Sequence, residues 1–120
     1  MLTAPLVVNR ERTQTLESLV RLSSPLSDIK KQLKGYPWDS EVKFAELTMK
    51  DVRSILHRYL QGELSRDDVE EWANLLESRD DVAFETNNES RIRDCLHELA
   101  NPVLTQPLDA ERAKVLLALE

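Results

Sequence analysis

Three side chains in this sequence are soft or imidazole ligands of the kind that bind transition metals: His57, Cys95 and His97. A metal site needs such ligands clustered at helical or loop spacing. Cys95 and His97 lie about 200° apart around a helix, so they cannot face the same ion. Because Cys95 shares a helical stripe with Ile92 and Leu99, the spacing predicts a thiol in the core beside a surface histidine. No metal ligand, cofactor or catalytic residue is expected.

The number and spacing of the glycines predict that the chain has no phosphate-binding loop. The chain has only two, Gly35 and Gly62, and they are far apart. A phosphate-binding loop needs several glycines close together, because backbone N–H groups must approach the ligand. The chain is therefore not expected to be an enzyme. The remaining enzymatic alternative is a site assembled from scattered carboxylates and His57.

Carboxylates are the most unevenly distributed chemical groups in the chain. Residues 61–120 carry 15 Asp and Glu against 6 Lys and Arg, whereas residues 1–60 carry 7 against 10. Nine of the carboxylates lie between Glu63 and Glu85. Such a block repels phosphate and attracts cationic surfaces. We therefore predict a partner-binding surface for a basic protein, formed by Glu63, Asp67, Asp68, Glu70, Glu71, Asp80 and Asp81. The alternative is that the first aspartates only stabilise a helix N-terminus and the glutamates form a solvated face.

Two aromatic residues, Tyr36 and Trp38, lie in a proline turn and are the other candidate partner-binding residues. Interfaces favour tyrosine and tryptophan as anchors. The alternative is that both rings fold back over the ends of the helices. Trp72 differs, because it repeats at helical spacing with Val69 and Leu76 and is expected in the core.

The sequence predicts that helices position the carboxylates and aromatic side chains described above. Thr48 and Ser65 are each followed three residues later by aspartate, which predicts a capping box at the start of two helices. Apolar residues then recur at helical spacing up to about Leu60 and Leu76. Gly62, between the two helices, and Gly35 are both expected just past a helix end, where a left-handed residue is common.

The rest of the chain follows the same pattern. Further helices are predicted over about 11–22, from Pro25 to Leu33, over about 88–100 and over about 107–119. Residues 1–10 are predicted to form an extended arm because they are β-branched and interrupted by proline. Residues 41–47 and 82–84 are strand candidates. Two arrangements are open: they pair as a minor β-hairpin, or they stay extended segments, with residues 82–84 filling the core. The fold class predicted is all-α, a compact bundle of five to six helices in one domain over residues 1–120.

A short helix–turn–helix raises the question of DNA binding. Its second helix would enter the groove with residues 66–71, which hold four carboxylates and one guanidinium. Phosphate neutralisation is the main source of DNA affinity, so no nucleic-acid partner is expected. No apolar run approaches the roughly 20 residues that span a bilayer, so no membrane partner is expected. The single cysteine fits a reducing compartment, and a cytoplasmic location is predicted.

The run from Tyr59 to Trp72 resembles a stretch in the colicin D immunity-like proteins: an aromatic residue and leucine, a short turn, a Ser/Thr cap and an acidic helix. The resemblance covers about 14 of 120 residues. It implies a small, bacterial, cytoplasmic, all-α protein that neutralises a toxin by covering its active site. An acidic helical surface would then occupy a basic cleft. The alternative is a structural or regulatory subunit that associates, or forms a homodimer, through an apolar helix face.

Overall fold

The computed structural model describes the backbone of residues 3–118 and the side chains of residues 10–118. The described chain folds into six α-helices, two three-residue strands and one short 3₁₀ turn. The helices are α1 (Thr3–Arg21), α2 (Leu26–Leu33), α3 (Met49–Leu60), α4 (Arg66–Glu77), α5 (Glu89–Ala100) and α6 (Ala110–Ala118). The strands are β1 (Ala45–Leu47) and β2 (Val82–Phe84), and the 3₁₀ turn is Thr86–Asn88. The predicted all-α class, a bundle of helices with minor strands, is confirmed.

Helices α3 and α4 begin where their capping boxes predict. The Thr48 hydroxyl accepts from the backbone N–H of Asp51, and the Asp51 carboxylate accepts from the backbone N–H of Thr48. Ser65 and Asp68 make the same reciprocal pair at the start of α4. Each box satisfies backbone donors that the first helical turn leaves free.

The N-terminal segment corrects the prediction of an extended arm over residues 1–10. Helix α1 already begins at Thr3, and residues 1 and 2 lie outside the described part. Pro5 falls in the first turn of α1, where a backbone N–H has no intrahelical partner to lose. β-Branched residues lower helix propensity only slightly. Neither feature therefore stops a helix at this position.

The ends of α1 and α3 share one backbone motif built on different residues. At α3 the left-handed residue is Gly62, with φ 82°, as predicted. At α1 it is Leu22, with φ 48°, and the N–H of Ser23 reaches back to the Ser18 carbonyl at 3.1 Å. Leucine tolerates this conformation because its side chain is buried in the core. Gly35 lies just past the end of α2, as predicted, but its φ is not positive.

Of the two alternatives for these segments, the structure shows pairing, but the strands are parallel and do not form a hairpin. Ala45 lies opposite Val82 and Leu47 opposite Phe84. Because α3 and α4 lie between the strands in the chain, the connection is long enough for the parallel arrangement. The pair brings the segment before β1 next to the residues that follow α4, where the Phe44 N–H donates to the Asp81 carbonyl at 2.8 Å.

The core gathers the apolar stripes of all six helices around Trp72. Its side chain is fully buried, as predicted, and its indole Nε1–H donates to the Leu19 carbonyl at 2.8 Å. This bond ties α4 to α1 across the centre of the molecule. Within residues 3–118, no helix combines the length and the apolar character that a bilayer crossing requires.

Candidate partner-binding surface

Helix α4 separates apolar and acidic side chains on opposite faces. Val69, Trp72, Ala73 and Leu76 face the core. The opposite side carries Asp67, Glu70 and Glu71, with Glu63 in the turn before it and Glu77 at its last residue. We call these five carboxylates the acidic face. The four acidic-face carboxylates within α4 share one side of the helix because residues three, four and seven apart lie on one side.

Three carboxylates of the acidic face have partners within the protein. Glu71 lies 2.6 Å from the Lys30 ammonium, and Glu63 lies 2.6 Å from Arg58 Nε. Glu77 lies 3.1 Å from Nδ1 of His97. The carboxylate side chains of Glu71 and Glu63 stay 42% and 54% exposed in these pairs. Exposed pairs contribute little to stability, so a cation from a partner can replace Lys30 or Arg58 at low cost.

Asp67 and Glu70 have no cationic partner among the residues that the structure describes. They lie one turn apart, with Asp67 exposed and Glu70 half-buried. The partial positive charge of a helix N-terminus stabilises Asp67, in the first turn, more than Glu70. The pair forms the negative centre of the acidic face.

Asp68 lies beside this centre but is used locally. Its Oδ2 accepts from the Ser65 backbone N–H at 2.9 Å, in the capping box. The side chain is half-buried and close to the α1–α2 turn. Its role at the start of α4 is therefore structural.

Asp81 corrects the predicted surface, because its side chain is fully buried and faces inward. Oδ2 of Asp81 accepts from Arg12 at 2.9 Å, and Arg79 donates to both carboxylate oxygens at 2.9 Å. The same two arginines donate to the Pro37 carbonyl, at 2.8 Å and 3.0 Å. A buried carboxylate needs such partners to offset its lost hydration. Asp81 is thus a structural anchor.

The charge state of Asp81 follows from two opposed effects. Burial by itself raises the pKa of the carboxyl group. The hydrogen bonds and positive charges of Arg79 and Arg12 outweigh burial, so the pKa of Asp81 lies below its usual value. The carboxylate is therefore ionised at neutral pH.

Asp80 differs from its neighbour and is exposed. Its backbone N–H donates to the Trp38 carbonyl at 2.7 Å, and its own carbonyl accepts from the Lys43 ammonium. The backbone of Asp80 therefore fixes the position of the proline turn. Its carboxylate points away from that network into solvent.

The two aromatic candidates have different environments. Tyr36 is half-buried, with its ring centroid 5.9 Å from the Arg12 guanidinium carbon. Trp38 is 63% exposed and lines a shallow groove of about 570 Å³ beside Leu75 of α4. The fold-back alternative thus describes Tyr36, whereas Trp38 is available to a partner.

Two exposed apolar residues were missed by the reasoning from sequence. Val103 and Leu104, in the turn between α5 and α6, are 96% and 76% exposed. The turn is ordered, because the Leu104 N–H donates to the Asn101 carbonyl at 3.0 Å. The available signal was an apolar doublet between two prolines, in a segment without helical periodicity.

The groups that could do chemistry lie apart. Cys95 is buried, as predicted, and burial raises the pKa of its thiol, with Glu98 and Asp94 adding to the effect. A thiol with a raised pKa is a poor nucleophile at neutral pH. Over residues 3–118, no group of three or more His, Cys, Asp or Glu side chains is arranged to hold a metal ion.

Comparison with protein-family models, with curated proteins and with solved structures found no match to this chain.

Proposed function

We propose that this protein is a non-catalytic binding module whose acidic face contacts a basic protein partner. The observation that carries the proposal is the position of Asp67 and Glu70 on the solvent side of α4, without a cation from the described chain to neutralise them. Uncompensated charge of one sign on a rigid helix speeds the encounter with a surface of the opposite sign.

The exposed Trp38 gives this surface an apolar anchor. Charge alone steers association, while buried aromatic side chains set the lifetime of a complex. Trp38 lines the groove beside Leu75, so it borders the face of α4 that carries the carboxylates. Lys30 also lines this groove and pairs with Glu71, so the anchor adjoins the acidic face at Glu71.

An immunity-type inhibitor is the specific form of this function that we propose. A toxin that cuts nucleic acid has a basic cleft, and carboxylates on a helix can replace the phosphates that bind there. The resemblance of residues 59–72 to colicin D immunity-like proteins supports this form. A bacterial, cytoplasmic protein and a toxin gene beside this one are the corresponding expectations.

The test is a charge reversal with a matched control. A basic partner captured from the native host is titrated with the protein, with Asp67→Lys/Glu70→Lys, and with Glu17→Lys/Glu46→Lys. The control carboxylates are also exposed and their reversal changes net charge equally. We expect the first variant to lower the association rate about tenfold or more at low salt, and the control less than about threefold. Equal effects of both variants would contradict a specific acidic face.

A second candidate is an associating subunit, and the exposed Val103 and Leu104 favour it. The apolar helix faces are buried in the core, so self-association would use this turn instead. Sedimentation should then show a mass that rises with concentration and falls for Val103→Ser/Leu104→Ser. A monomeric mass at every concentration excludes self-association.

A further inference from the structure

The groove beside Trp38 differs in charge from the rest of the protein. Its lining includes Lys30, Lys34 and Arg79, and no carboxylate. Four other surface grooves in the described part of the chain each include at least one Asp or Glu. In a chain with a formal net charge of −6, a groove lined only by cations and apolar groups is a local exception.

The positive charge at this groove is not fully compensated by the protein. Lys30 is paired with Glu71. Arg79 shares the single carboxylate of Asp81 with Arg12, so two guanidiniums face one negative charge. Lys34 has no ion-pair partner among the described residues. Because the Arg79 side chain is only 6% exposed, Lys34 at the rim is the cation that remains available to an anion.

The floor of the groove is apolar. Leu33 is buried, Tyr36 and Leu75 are half-buried, and Trp38 forms the exposed wall. The wall is held in place, because the carbonyls of Pro37 and Trp38 accept hydrogen bonds from Arg12, Arg79 and the Asp80 N–H. An anchored turn of this kind loses little conformational freedom on binding.

We propose that this groove binds an acidic peptide segment, with a large apolar side chain against Trp38 and a carboxylate beside Lys34. The apolar floor and the cationic rim are complementary to those two groups. The acidic face beside the groove repels a polyanion such as a nucleic-acid strand, whereas one carboxylate can approach the rim alone. The proposal rests on the proposed function only in taking the occupant to be part of a protein.

The two tryptophans make the binding site directly observable. Trp72 is fully buried with its indole N–H bonded to Leu19, whereas Trp38 is 63% exposed. In a two-dimensional ¹H–¹⁵N spectrum, the indole signal of Trp38 should move during titration and that of Trp72 should stay. The probes are acetyl-Phe-Asp-amide and its isostere acetyl-Phe-Asn-amide, which differ only in charge.

We expect the acidic peptide to bind in the millimolar range and about threefold or more tightly than its isostere, since exposed charge pairs contribute modestly. Lys34→Gln should remove that difference, while Lys50→Gln, an exposed lysine outside the groove, should keep it. Acetyl-Ala-Asp-amide should bind more weakly than the phenylalanine peptide, because it lacks the apolar side chain.

Three results would overturn the proposal: equal binding of the two isosteres, a shift of Trp38 that depends on protein concentration without peptide, or tighter binding of an oligothymidylate than of the acidic peptide. The second result would identify a second copy of the chain as the occupant, and the third a nucleic acid. None of these results depends on the basic partner. Failure of the groove can therefore be distinguished from failure of the acidic face.

Discussion

At the scale of single residues, Asp80 and Asp81 show how neighbouring carboxylates acquire opposite roles. Asp80 is exposed, whereas Asp81 is fully buried between two arginines. Charge density along the sequence cannot separate them, because it contains no information about which side chain faces inward. The sequence shows that Asp81 is acidic, but the prediction that it lies on the surface was wrong.

Replacing Asp81 with asparagine should destabilise the protein strongly. The variant leaves the buried Arg12 and Arg79 without their counter-charge, and breaking a buried ion pair typically costs about 3–5 kcal/mol. Urea unfolding at pH 7 measures this loss. Asp67→Asn, at an exposed position, should stay within about 0.5 kcal/mol of the wild type.

The stability difference between wild type and Asp81→Asn should also depend on pH. Because the pKa of Asp81 is lowered in the folded state, its contribution is fully present above the unfolded value and is lost as pH falls through the folded value. The stability difference between wild type and Asp81→Asn should therefore be constant from pH 5 to 8 and shrink below about pH 4. A difference that changes around pH 7 would show that another group controls this cluster.

The two glycines should respond oppositely to alanine. Gly62 has φ 82°, which a Cβ disfavours, so Gly62→Ala should cost about 1 kcal/mol. Gly35 has no positive φ, and an added Cβ would lie 3.5 Å from the Gln32 carbonyl, an ordinary contact. Gly35→Ala should be neutral or stabilise by up to about 1 kcal/mol, through the unfolded state. Thermal unfolding of both variants provides the comparison.

At the scale of elements, helix ends were predicted accurately where the sequence contains a capping residue or a terminating glycine. Helices α3 and α4 were predicted within a residue, because Thr48, Ser65 and Gly62 define their limits. Helix α1 was predicted too short, because β-branched residues and Pro5 were interpreted as helix-breaking. The direction of the β1–β2 pairing could not be predicted, since period two does not specify a strand's partner or its orientation.

The candidate surface was predictable only where its residues belong to one helix. Helical spacing located Asp67, Glu70 and Glu71 on the outside of α4, opposite Trp72. The groove at Trp38 was not predictable, because Lys30 and Lys34 reach it from the end of α2 whereas Leu75 reaches it from α4. Only tertiary packing brings such residues together.

The capping boxes should make measurable contributions to their helices. Thr48→Ala and Ser65→Ala each remove a side-chain acceptor for a backbone N–H in the first turn, which costs about 1 kcal/mol. Ser54→Ala, at an exposed position inside α3, should be neutral or slightly stabilising because alanine favours helices. Denaturant midpoints of the three variants test this order. A similar loss of unfolding free energy in Ser54→Ala would mean that removing any hydroxyl destabilises the helix, whether or not it caps.

At the scale of the whole molecule, contacts between distant residues join the helices into one core. Trp72 of α4 binds the backbone of α1, and Asp81 binds Arg12 of α1. The Arg58 guanidinium also donates to the Arg21 and Leu22 carbonyls, at 3.1 Å each, and so fixes the end of α1 against α3. Helix α1 therefore cannot separate from α3 or α4 without breaking these hydrogen bonds.

Unfolding should therefore be a single cooperative transition. Far-ultraviolet circular dichroism reports all the helices, whereas the fluorescence of a Trp38→Phe variant reports Trp72 alone. In urea, both signals should give the same midpoint, because loss of the core around Trp72 and loss of the helices are one event. An earlier fluorescence midpoint would show that the α1–α4 contact opens first.

The parallel pairing of β1 and β2 also has a consequence for how the chain folds on the ribosome. Ala45 pairs with Val82, 37 residues later. At translation rates of about 5–20 residues per second, β1 waits about 2–7 s for β2, and Arg12 waits about 3–14 s for Asp81, which lies 69 residues later. Until those residues are made, the nascent chain exposes a strand without its partner and a guanidinium without its counter-charge. Chaperones can bind both.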